Sequence, residues 1–152
     1  VASVFLRPDA DSSDGNWTNE LGGTSLYESI DETVASDADY IRSESDPVSD
    51  VCKIRLSNPG TTVAEPAIVR FRYKKDGTGS DIDLTVRLLQ GVTEIAAWAY
   101  SDIGTTYVDG EETLTTPEFE LISDFDDLFL EFTANVSTVG SPIGLLLALT
   151  KA

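Results

Sequence analysis

Asp124, Asp126 and Asp127 fall within four residues, and paired carboxylates are the machinery of acid–base hydrolysis when they face each other across a substrate. These three share one turn instead of flanking a cleft. Their spacing therefore points to turn chemistry, in which an Asp side chain binds a nearby backbone N–H. The chain contains no histidine and one cysteine, Cys52. A nucleophile working through an imidazole base is thereby excluded, zinc lacks its usual nitrogen and sulfur ligands, and Cys52 has no partner for an intrachain disulfide. No catalytic residue is assigned, and the expectation is a protein that is not an enzyme.

Calcium asks for several oxygen ligands from neighbouring loops. Asp76, Asp81 and Asp83 flank a glycine-rich turn and are the candidate ligands; no other cofactor is expected. Asp9, Asp11 and Asp14 make a second acidic loop, but Gly15 is misplaced for an EF-hand. Trp17, Trp98 and Tyr100 are the aromatics on which a sugar could stack. Trp98 lies in an apolar stretch and reads as core, whereas Trp17, in a polar stretch, reads as the surface candidate. Asn16-Trp17-Thr18 and Asn135-Val136-Ser137 match the N-glycosylation sequon, a coincidence where no secretory signal accompanies it.

Charge gives the sharper pattern. The net charge is −17, yet residues 51–90 hold seven of the ten basic side chains and only four acidic ones. Arg70, Arg72 and Lys74 project from one face of a single strand pattern, and Lys53, Arg55 and Arg87 are expected to join them from neighbouring strands. This stripe is the candidate partner-binding surface; its competing reading is a solvated sheet face paired with carboxylates. The acidic remainder repels nucleic acid and anionic lipid, so neither is expected as a partner. No apolar stretch approaches the roughly 18 residues that span a membrane. The chain begins at Val1 without methionine, as a processed or trimmed product would.

Elements of period two must position these residues. The pattern predicts strands at 1–6, 40–42, 51–56, 68–75, 82–88, 95–100, 113–122, 128–136 and 143–150, with residues 102–110 as a loop. Ser25 and Glu28 match a capping box and predict a short helix over about 26–33. Asp76 to Ser80 reads as a hairpin turn, and Gly140 to Pro142 as the turn before the last strand. That strand is apolar on both faces at Leu145, Leu146, Leu147 and Leu149: a central strand, or one whose second face meets another subunit. The expected whole is one domain, all-β, an antiparallel β-sandwich of about eight strands with one short N-terminal helix. Residues 1–36 would form an arm packed on a sandwich spanning 37–152.

Residues 83–91 (DLTVRLLQG), 94–98 (EIAAW) and 119–132 (FELISDFDDLFLEF) follow one another in an order that resembles the jelly-roll domains of tailed-phage virion proteins. The opening segments 6–11 (LRPDAD), 16–18 (NWT), 26–27 (LY), 30–33 (IDET) and 37–41 (DADYI) are similar to stretches common in phage structural proteins. The resemblance covers most of the chain and implies a jelly roll. It also implies a virion role on the outer surface of the capsid, as a decoration protein that binds the major capsid protein, with trimerisation a family expectation. The alternative is a carbohydrate-binding or host-adhesion module of a tail or head fibre.

Overall fold

Alternation builds the interior. In the computed structural model, which describes residues 3–20, 23–138 and 143–148, ten strands form two five-stranded sheets. The first sheet runs β1 (Pro8–Ser13), β4 (Asp50–Leu56), β9 (Leu128–Thr138), β6 (Asp81–Gln90), β7 (Thr93–Tyr100). The second runs β2 (Thr18–Asn19), β3 (Ile41–Arg42), β10 (Leu145–Ala148), β5 (Ile68–Lys75), β8 (Val108–Thr113). Every recorded pairing is antiparallel. Inward residues alternate as read: Cys52, Ile54 and Leu56 on β4, Ile82, Leu84, Val86 and Leu88 on β6, and Leu128, Leu130, Phe132 and Ala134 on β9. Phe71 and Tyr73 of β5 meet them from the opposite sheet. The Phe71 ring lies 5.7 Å from Tyr100 and 6.3 Å from Phe132. The fold is an all-β sandwich.

Gly110 of β8 lies opposite Phe71, and a Cβ there would stand 2.4 Å from the Phe71 ring. The missing side chain lets the central aromatic lie against its edge-strand neighbour.

Several elements differ from expectation. Residues 3–6 form no strand; the edge strand is β1, in the stretch read as a polar loop. Residues 1–36 carry both β1 and β2, one in each sheet. The helix over 26–33 is reduced to a single 3₁₀ turn at Tyr27–Ser29, and no side chain of its own caps it. Asp11 caps it from β1, accepting from the N–H groups of Leu26 (2.7 Å) and Tyr27 (2.8 Å). The α-helix of the chain, α1 (Thr116–Glu120), stands where a strand was expected. Thr115 and Glu118 form its capping box, with Pro117 in the first turn. Residues 76–80 do not close a hairpin, because β5 and β6 lie in opposite sheets; β6 forms its hairpin with β7. β8 begins inside the expected 102–110 loop.

The last strand is central. β10 lies between β3 and β5 with all four residues buried, and outward-facing Leu146 is 3% exposed between its register neighbours Arg42 and Lys74. Its second face is thus covered within this chain. The expected turn at 140–142 and Leu149 lie outside the described residues. Among those residues no helix is long and apolar enough to cross a membrane.

One end of the sandwich is closed by Asp50, which is 3% exposed. Its carboxylate accepts from the N–H of Asn16 (2.9 Å) and of Glu44 (3.0 Å), and its carbonyl accepts from the Trp17 indole (3.1 Å). Asp50→Ala leaves two backbone donors without an acceptor and should cost about 2–4 kcal/mol. Asp50→Asn, which keeps one acceptor, should cost less. Gly110→Ala should cost about 1–3 kcal/mol by displacing Phe71. Urea unfolding of the three variants beside the wild type reads all three values.

Candidate functional site

The six candidate cations do not form one stripe. Arg70, Arg72 and Lys74 lie along β5 in the second sheet, whereas Lys53, Arg55 and Arg87 lie on β4 and β6 in the first. Strands adjacent in sequence were expected to be adjacent in the sheet, but β4, β5 and β6 alternate between sheets. The outer faces of the sandwich therefore carry three candidates each.

Carboxylates hold most of them. Arg70 pairs with Glu111 at 2.8 Å, and Arg72 bridges Asp37 (2.8 Å) and Asp109 (2.7 Å). Arg87 bridges Glu94 and Glu131, both at 2.7 Å, and Arg55 pairs with Asp9. These contacts raise the pKa of Arg72, chiefly through Asp37, of Arg87, chiefly through Glu94, and of Arg55 through Asp9. Pairs this exposed add little stability. The two lysines use π-faces instead: Lys53 stands 4.3 Å from the Phe129 ring centre and donates to the Gly91 carbonyl, and Lys74 stands 4.8 Å from that of Tyr107. Arg72 approaches the same Tyr107 ring at 5.1 Å. Arg70, Arg72, Lys74 and Tyr107 thus make one mixed cationic and aromatic strip on the second sheet.

The aspartates are committed to the fold. Asp76 pairs with Arg42 at 3.1 Å and Asp81 with Lys75 at 3.7 Å, while Asp83 accepts from the Asp102 N–H and the Ser137 hydroxyl. Among the described residues no group of three or more acidic or cysteine side chains is arranged to hold a metal ion. Asp124 accepts from the Asp126 N–H at 2.9 Å, the turn chemistry its spacing implied. Trp17, read as a surface aromatic, is 4% exposed, so it offers no stacking face. Trp98 is half-buried against the core. Lys75, not singled out in the sequence, is buried, and its Nζ reaches Asp102 at 2.8 Å; that contact lowers the Asp102 pKa.

At the end opposite Asp50 the two sheets part around a cavity of about 530 Å³. Leu56, Leu88, Leu114, Ile122, Leu128 and Leu130 form its depth. Residues 3–7 and 62–67 make its outer wall, which carries Arg7 and Glu65. Sequence reading missed this feature, because apolar residues at strand ends look the same whether or not another side chain fills the space between them.

It also missed a carboxyl pair. Glu32 Oε1 and Asp39 Oδ1 are buried, and no donor from the rest of the protein meets either atom. Burial first, then the hydrogen bond to Asp39, raises the Glu32 pKa to about 7. No family model and no curated protein matches the chain.

A carboxyl whose folded pKa exceeds its unfolded value binds more protons in the native state. The stability this gives is fully present below the ordinary glutamate pKa of 4.5 and is lost as pH rises to about 7. Glu32→Gln should flatten that decline between pH 4.5 and 7. Urea midpoints of both proteins across this range test it, and parallel curves would assign the decline to other groups.

Proposed function

We propose that this chain is a non-catalytic structural protein of a phage virion. In this reading it is an outer capsid decoration protein that binds the major capsid protein and stabilises the shell. The observation that supports it most is the strand order. Leaving aside β1 and β2, the row β3-β10-β5-β8 faces the row β4-β9-β6-β7. From β3 onward the chain changes sheet at every step except the β6–β7 hairpin. We read this winding as a jelly roll, an architecture used in viral capsids and in lectins. Fold alone does not choose between those uses. The resemblance of residues 83–91, 94–98 and 119–132 to virion proteins favours the capsid, and the burial of Trp17 removes the better surface candidate among the three aromatics on which a glycan-binding reading relied.

Such a protein acts by adhesion. Binding only the assembled shell, it stabilises that shell by mass action. The strip of Arg70, Arg72, Lys74 and Tyr107 is the docking face in this reading: arginine and tyrosine are enriched at interfaces, and Lys74 has a π-face and no carboxylate as its recorded partner. Lys53, Arg55 and Arg87 lie on the other face and take no part. Co-sedimentation with capsids of the encoding phage, stripped of this protein, tests the proposal. Wild type should bind at a fixed number of copies per capsomer. Arg70→Glu with Lys74→Glu should weaken binding at least about ten-fold and reduce its salt dependence, whereas Lys53→Glu should not. Absence of saturable binding at any salt concentration overturns the decoration role.

A further inference from the structure

The cavity and Arg7 together carry an inference independent of what the outer faces dock. Five of the six arginines, Arg42, Arg55, Arg70, Arg72 and Arg87, each have a carboxylate in ion-pair contact. Arg7 is the exception among the described residues. Its Nη1 donates to the Glu32 carbonyl at 2.7 Å, and its guanidinium carbon stands 5.8 Å from the Phe5 ring centre. In a chain of net charge −17, a carboxylate is the easiest partner to supply, so an arginine without one is conspicuous. This arginine lines the cavity.

We propose that the cavity is a binding site for an amphiphilic monocarboxylate, an alkyl chain ending in a carboxylate. The volume, about 530 Å³, lies within the roughly 300–1,000 Å³ of small-molecule sites. The depth is aliphatic, from Leu56, Leu88, Leu114, Leu128 and Leu130, with Phe125 beside them, and it offers an alkyl chain no polar partner it must satisfy. Polarity is confined to the wall. There Arg70 is held by Glu111, and the Glu65 carboxylate accepts from the Thr116 hydroxyl, which leaves Arg7 as the one cation of the wall with no carboxylate partner among the described residues. Arg7 retains donors beyond the one given to Glu32, and a guanidinium matches a carboxylate in a forked geometry. Glu65 on the same wall repels a doubly charged headgroup such as a phosphate more strongly than a singly charged carboxylate.

Isothermal titration of the intact chain with dodecanoate below its micelle concentration tests this, with dodecanol and dodecyltrimethylammonium as neutral and cationic counterparts. Dodecanoate should bind one to one and more tightly than either counterpart. Arg7→Gln should weaken it at least about ten-fold and erase the preference over dodecanol. Val63→Trp, which places an indole in the wall from an irregular loop, should abolish binding. Circular dichroism of both variants establishes that they are folded. Equal binding of all three amphiphiles, or dodecanoate binding untouched by Arg7→Gln, overturns carboxylate recognition. No saturable binding to wild type overturns the site. Self-association of the unliganded chain that Val63→Trp disrupts would make the cavity a contact between copies, and it overturns the proposal equally.

Discussion

A single buried carboxylate joins the two sheets at one end of the sandwich. Asp50 begins β4 in the first sheet, while Asn16, Trp17 and Glu44, all bonded to it, flank β2 and β3 of the second. Removed from water, the carboxylate must find donors inside the protein. Those at hand are the main-chain N–H groups that the short strands β2 and β3 leave unpaired where they end. Each side meets the other's need, which is why strands of two residues each can be ordered at all. Gly15 shows how tight the arrangement is. At φ +58°, a Cβ there would lie 2.2 Å from the Val51 carbonyl and 2.9 Å from Asp50 Oδ1. The turn that delivers Asn16 and Trp17 can pass so close to β4 only because that position lacks a side chain.

The same economy governs charge. With few cations against many carboxylates, most arginines serve two tasks, lying across the sheet surface with their stems while their heads bridge strands. Arg72 ties β8 and the 33–40 segment to β5, and Arg87 ties β7 and β9 to β6. Individually these exposed pairs contribute little. Collectively they remove like-charge contacts that would otherwise face each other across neighbouring strands. The cluster of cations at residues 51–90 therefore marks strands placed beside acidic neighbours, and in space it is divided between the two outer faces instead of forming one stripe.

How far the sequence could be read follows from this. The alternation of 51–56, 68–75, 82–88 and 128–136 was legible because one face of each strand is core and the other is solvent, and period two records that contrast directly. Partners were less legible. Asp76 to Ser80 has the residues of a hairpin turn, yet glycine-rich turns serve equally to carry a chain across the top of a sandwich. Only pairing with β9 and β7 places β6 in the first sheet. Local helix signals failed for a related reason. Ser25 and Glu28 have the right spacing, but Asp11 from β1 accepts from the Leu26 and Tyr27 N–H groups, so that end of the turn is held by a residue from outside it. Thr115 and Glu118, an equal signal with Pro117 between them, succeed because no distant acceptor competes. Trp17 misleads because a polar neighbourhood in sequence is not a polar neighbourhood in space; its indole instead spans to Asp50.

The two ends of the sandwich then differ for a physical reason. At the Asp50 end, paired polar groups hold the sheets together, so little apolar volume is needed there. At the other end no buried charge among the described residues ties the sheets, and closure falls to residues 3–7, 62–67 and the segment after α1, which pack around a space they do not fill. Apolar walls around an unfilled volume forfeit dispersion contacts that a closed core would have kept. A sandwich able to bury Phe71 against a glycine could equally have carried a larger residue than Ala64 or Ala67 in that wall. The open end is thus a local departure from the close packing seen through the rest of the core, and departures of that kind concentrate where a structure receives something other than itself.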